Sequence, residues 1–158
     1  MTGWLNSIQS GVSGGYGLQN LLYAYDKVGN ITQRQENSLG LTENFYYDNL
    51  YRLTSSQVNA NTAVSYAYDA VGNITSRSDV NGGATWSYHG TKKHAVASTG
   101  SGGATYSYDN NGNMTSRGGY TIGWTSYNYA QSLATATENT TFTYGPDRQY
   151  YKQDYSGP

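Results

Sequence analysis

The 158-residue sequence contains no cysteine and only two residues each of proline, phenylalanine and methionine. Without cysteine there is neither a disulfide framework nor a thiolate metal site. Compartment is left open, since many exported bacterial proteins also lack cysteine. Leu, Ile, Val and Phe together number only 22, a deficit that in a highly charged chain would mean disorder. Charge is scarce too. The net charge is −1, with 9 basic and 10 acidic residues, and the scattered Lys and Arg argue against nucleic acid or an anionic membrane as partner. No apolar run approaches the roughly 20 residues of a membrane span, and no signal-peptide core opens the chain. Secretion or display at the cell surface would therefore use a signal outside these residues.

What the chain does hold is 18 Tyr, 3 Trp and 20 Gly. Large amphipathic rings can supply the missing apolar area, provided each hydroxyl meets a partner or water. Tyr and Thr favour strands, and Gly, Asn and Asp favour turns. An all-β protein whose core is built on aromatic rings is expected.

Three segments match over twelve positions: Tyr23-Ala-Tyr25-Asp26-Lys-Val-Gly29-Asn30-Ile31-Thr32-Gln-Arg34, then residues 66–77, then residues 106–117. A variant reads Tyr46-Tyr47-Asp48-Asn-Leu-Tyr51-Arg52-Leu53-Thr54, and weaker copies centre on Tyr88, Tyr127 and Tyr144. Anchored on the second Tyr, the copies fall at 25, 47, 68, 88, 108, 127 and 144, a period of about 20 residues. Each copy reads as a β-hairpin. Tyr-x-Tyr places two rings on one face of the incoming strand. Asp opens the turn and accepts backbone N–H groups, and Gly takes its left-handed position. The Arg eight residues after Asp falls on the return strand, at an exposed or inter-repeat position. Gly-, Asn- and Ser-rich stretches at 10–17, 37–41, 80–84 and 98–104 read as the opposite turns. The expected fold is one array over residues 1–158, an antiparallel meander of about seven stacked hairpins with essentially no helix. Gly3-Trp4-Leu5 aligns with Tyr51-Arg52-Leu53, the return half of a hairpin, so the array reads as truncated mid-repeat at its N-terminus and as a slice of a longer one.

The repeat-motif residues are Tyr25, Asp26, Gly29 and Asn30; Tyr47 and Asp48; Tyr68, Asp69, Gly72 and Asn73; and Tyr108, Asp109, Gly112 and Asn113. In phase with Thr32, Arg34 and their equivalents, they resemble the YD-repeat or Rhs-repeat family over roughly residues 3 to 153. Phe142-Thr-Tyr144-Gly-Pro-Asp147-Arg148 resembles the repeat toward the C-terminal end of bacterial Rhs arrays. The resemblance implies a curved ribbon of strands that spirals into a hollow shell. In bacterial Rhs proteins and the C components of insecticidal toxin complexes such a shell encloses a C-terminal toxin. In teneurins a related shell serves adhesion. The family's self-cleaving Asp-Pro-x-Gly motif is not in this sequence, and seven repeats imply a strip rather than a closed container. The partners so implied are the rest of the parent shell and its toxin cargo.

No catalytic residue, cofactor or metal ligand set is indicated. One Asp per hairpin at a turn start is explained by turn capping, and no pair of acids stands apart from the others. The nine-residue Gly-Gly-x-Gly-x-Asp calcium repeat is missing. His89 and His94 lack neighbouring acids for a metal site, and Lys92-Lys93 reads as a solvated turn. Sequons at Asn30, Asn73, Asn113 and Asn139 follow mostly from the repeat itself. The competing binding role is glycan stacking on exposed aromatics, with Trp86 and Trp124 as candidates. A slice of continuous sheet also leaves two open strand edges, from which self-association is expected.

Overall fold

A computed structural model of the chain describes residues 3–12 and 17–158. Part of the glycine-rich turn expected at 10–17 lies outside those residues. The chain divides into two compact units, Met1–Gly83 and Ala84–Pro158.

In the first unit, β1 (Ser7–Ser10), β2 (Gln19–Tyr25), β3 (Ile31–Glu36), β4 (Leu41–Tyr47), β5 (Leu53–Val58), β6 (Val64–Tyr68) and β7 (Ile74–Arg77) form one sheet in chain order. Every neighbouring pair is antiparallel. A 3-10 turn, Asn81–Gly83, follows. In the second unit, β8 (Ser87–Tyr88) pairs with β9 (Val96–Ser98). A six-stranded antiparallel sheet then runs in chain order through β10 (Tyr106–Tyr108), β11 (Met114–Arg117), β12 (Tyr120–Trp124), β13 (Ala130–Ala134), β14 (Asn139–Tyr144) and β15 (Tyr150–Ser156). The all-β meander of consecutive hairpins expected from the repeat is the observed fold.

Alternation explains which side chains lie inward. Tyr23 and Tyr25 are half-buried while Ala24 between them is exposed, and the same holds for Tyr66 and Tyr68 about Ala67 and for Tyr106 and Tyr108 about Ser107. The rings share one face because successive strand residues point to opposite sides.

Two sequence expectations need correction. The rings do not form an enclosed core: among the described residues no hydrophobic side chain is buried, and only Asn73 and Thr99 are. All strands of the first unit belong to one sheet, so its rings meet neighbours beside them and no second layer of the unit above them. The anchor of the sixth copy is also not Tyr127. Tyr127 sits in a turn, and Trp124, three residues earlier, ends the incoming strand β12.

Candidate functional site

The recurring site of this protein is the tip of each hairpin. In the first, Asp26 donates its backbone N–H to the Asn30 carbonyl (2.9 Å), and Gly29 donates to the Asp26 carbonyl (3.3 Å). The Asp26 carboxylate accepts from the backbone N–H of Val28 (3.0 Å) and Asn30 (2.9 Å), and its other oxygen accepts from the Asn30 side-chain amide (2.8 Å). Asp69 repeats this arrangement with Val71 and Asn73 at 2.8–3.0 Å. Asp109 does so with Asn113 at 2.9 Å through both the backbone and the side chain. Gly29, Gly72 and Gly112 have φ of +100°, +91° and +91°, the left-handed backbone that side chains oppose. The Tyr47 hairpin closes with a different pair. Arg52 donates its backbone N–H (2.9 Å) and Nε (2.7 Å) to Asp48, and Tyr51 holds the left-handed position at φ +61°.

These contacts set the acidity of the turn carboxyls. At Asp26 and Asp69 desolvation opposes ionisation, but the Asn side chain and the converging N–H groups outweigh it and hold the carboxyl below its ordinary value. The Asn113 side chain leads the same lowering at Asp109, and the backbone N–H of Arg52 leads it at Asp48. A carboxylate surrounded by turn N–H donors is committed to them and is poorly placed for proton transfer.

Two further features recur. The first is a bulge. Tyr25 pairs with Ile31 but Ala24 pairs with Gln33, leaving Thr32 as the extra residue of the return strand. Thr54, Thr75, Ala97, Thr115, Gln131 and Tyr151 occupy the same place in the other hairpins. The repeated Thr therefore marks a β-bulge, which bends and twists the strand at one level in every hairpin.

The second is a staple between hairpins. The Tyr25 hydroxyl donates to the Leu5 carbonyl (2.7 Å), Tyr47 to Ile31 (2.8 Å) and Tyr68 to Leu53 (2.8 Å). In the second unit Tyr108 donates to Val96 (3.0 Å) and Tyr144 to Ala130 (2.7 Å). Trp124 makes the same bond to Met114 through its indole N–H (2.8 Å). Each acceptor belongs to the return segment of the preceding hairpin. Backbone pairing between hairpins covers only the end away from these tips; β3 and β4, for example, pair through Gln33–Glu36 with 41–44. The anchor ring spans the gap at the tip end. Arg52 adds a second tie there, donating Nη1 to the Asp69 carbonyl (3.0 Å) with its guanidinium 4.7 Å from the Tyr68 ring centre. Burial raises the pKa of Tyr47, Tyr68 and Tyr108 above its ordinary value, keeping these donors protonated at neutral pH.

The motif residues singled out from the sequence thus lie together at the hairpin tips, and the arrangement performs chain closure. Trp124 is half-buried as an anchor. Trp86 is half-buried two residues before Tyr88, its indole N–H enclosed without an acceptor among the described residues. His89 stands in the Asp position and accepts from the N–H groups of Thr91 and Lys92 at 3.3 Å. Among the described residues no group of three or more His, Asp or Glu side chains is placed to hold a metal ion, and no helix is long and apolar enough to cross a membrane. The staple went unread in the sequence although a signal was present. The anchor is Tyr or Trp in every copy, whereas the position two before it accepts Phe45, Phe142 and Ile122. Only the anchor requires a polar hydrogen.

Solved structures share this fold. The crystal structure of TcdB2-TccC3-TEV matches 89% of the chain at 17% identity with a TM-score of 0.63. The Photorhabdus luminescens Tc holotoxin pore with the TccC3-D651A mutation matches 89% at 16% identity with a TM-score of 0.62. In both cases the match spans 9% of the solved chain. No family model and no curated protein matches the sequence. The YD/Rhs-repeat resemblance read from the motifs is thus accompanied by the fold of Tc toxin chains.

Proposed function

We propose that this chain is a structural segment of a YD/Rhs-repeat shell that encapsulates or presents a C-terminal toxin in a secreted or cell-surface parent protein, and that it is not an enzyme. The observation that carries the reading is the recurrence of the Asp-capped tip at Asp26, Asp48, Asp69 and Asp109 together with the anchor staple that ties hairpin to hairpin. Every conspicuous polar motif is used to close a hairpin or tie it to the next, which is what a wall requires. The partners of such a segment are its neighbouring repeats and the enclosed cargo. Cryo-electron microscopy of the parent protein tests this. The expected result is this sheet within the wall of a closed chamber; a module projecting from the outside of an unrelated domain would overturn it.

A second reading is supported by the exposed tyrosines. The rings of Tyr127, Tyr129, Tyr144 and Tyr150 form a cluster with centroid separations of 5.2–6.4 Å, and Tyr129 and Tyr150 are 42% and 58% exposed. Such a surface suits stacking against a sugar ring. Glycan-array screening of the chain decides it: binding lost in Tyr129→Ala would favour a carbohydrate-binding module, and a blank array would remove it.

A further inference from the structure

We infer that the groove between the fourth and fifth hairpin tips is a binding site for a phosphate or sulfate group, held by Lys92 and Lys93. The fourth tip departs from the repeat in length. Among the described hairpins every other tip encloses five residues between its last paired positions, as 26–30 do between Tyr25 and Ile31. The fourth encloses seven, residues 89–95 between Tyr88 and Val96. It departs in charge as well. It holds Lys92, Lys93 and both histidines of the chain, and no acid. A loop that breaks from an otherwise regular scaffold in both respects is where a binding site is expected.

This loop is closed without a carboxylate. His89 donates its backbone N–H to the Ala95 carbonyl (2.8 Å), and Ala95 donates to that of Lys92 (2.9 Å). The His89 ring accepts from Thr91 and Lys92 in the place where Asp26, Asp69 and Asp109 use a carboxylate. An imidazole brings none of the negative charge that Asp brings to a tip. Lys93 is tied back through Nζ to the Gly90 carbonyl (2.5 Å). The loop is thus ordered before a ligand arrives, which lowers the entropic cost of binding. Arg34, Arg52, Arg77 and Lys152 each lie against a carboxylate, whereas the residues of this loop supply none.

The next hairpin of the same unit completes the site. A groove of about 550 Å³ is lined by Lys92, Lys93 and His94 from the fourth tip and by Tyr108, Asn110 and Asn111 from the fifth hairpin. That volume lies in the range of small-ligand sites, and among the described residues no acidic side chain lines it. The Asp109 carboxylate is committed to its own turn, accepting from the backbone and side-chain N–H groups of Asn113 at 2.9 Å each. The donors offered are ammonium and amide groups from two hairpins, with no arginine among them. An arginine fork favours a planar, bidentate partner such as a carboxylate. Separated point charges and amides suit an anion that accepts from several directions, as tetrahedral phosphate and sulfate do. The Tyr108 hydroxyl is used on Val96, so this residue offers its ring to the organic part of an ester.

Titration calorimetry and amide NMR of the full chain test the inference, with inorganic phosphate, inorganic sulfate, ribose phosphate and neutral ribose as probes. Saturable binding of the anions is expected with a Kd on the order of 1 mM, with amide shifts confined to residues 89–95 and 108–112 and no binding of ribose. Tighter binding of ribose phosphate than of inorganic phosphate would identify an ester as the ligand, and equal binding the free anion. Lys92→Gln and Lys93→Gln should each weaken binding on the order of tenfold. Lys27→Gln removes the same charge from the exposed first tip and should leave binding unchanged. Exchanging residues 89–95 for the five-residue sequence of 109–113 should abolish binding while circular dichroism shows the sheet retained. Absence of saturable binding by all three anions would overturn the inference. So would equal losses in Lys27→Gln and Lys92→Gln, binding that survives the loop exchange, or an acidic peptide that binds this loop where the three anions do not.

Discussion

At the anchor position a ring and a polar hydrogen are both needed, and the two can be separated experimentally. In Tyr68→Phe the ring remains but the Leu53 carbonyl loses its donor. The expected loss is about 1–2 kcal/mol of unfolding free energy in urea, while Tyr46→Phe, at an exposed ring outside the ladder of staples, should change it by less than about 0.5 kcal/mol. Equal effects at the two sites would refute the staple. The turn aspartates make a pH-dependent contribution. Their folded-state pKa values lie below ordinary, so the stabilisation is present above about pH 4, the unfolded value, and is lost as pH falls through the folded values. The urea midpoint should fall between pH 5 and pH 2, less steeply in Asp69→Asn. A flat midpoint over that range would contradict this account.

At the scale of the hairpin, one irregular member tests what the turn requires. Gly29, Gly72 and Gly112 take the left-handed position in their loops, but Tyr51 takes it in the Tyr47 loop. A side chain there costs about 1–2 kcal/mol in backbone strain, and the Tyr51 ring is 60% exposed. Tyr51→Gly should therefore raise stability by about 1 kcal/mol, read as a higher midpoint in denaturant; a loss would mean that the ring itself has a structural role. Hairpin phase, the Asp cap and the Gly position were legible from sequence because they are local. The bulge was not. Thr32, Thr54, Thr75 and Thr115 look like ordinary strand formers, and only the pairing register reveals them as unpaired. The substitution of Trp124 for a tyrosine anchor was missed for a related reason. Spacing favoured Tyr127, whereas strand pairing selected the residue able to donate to Met114.

For the molecule as a whole, the decisive fact is burial. Eighteen tyrosines suggested a core, yet no described hydrophobic side chain is enclosed. Unfolding should consequently expose less apolar surface per residue than in a globular domain. Scanning calorimetry should give a heat-capacity change well below the roughly 12–15 cal/mol/K per residue of globular proteins. A value inside that range would imply that the aromatic faces are covered in solution.

The sequence by itself determined the repeat, the strand–turn–strand order and the residues that close each turn, because those depend on neighbours within a few positions. It also carried the rule that every anchor must have a polar hydrogen, although that rule becomes readable only once its acceptor is known. Tertiary structure decided the rest: which carbonyl each anchor reaches, where the bulges fall, and that the rings line an open face. Those outcomes depend on contacts between hairpins some 10 to 20 residues apart, where register, and not local propensity, selects the partner.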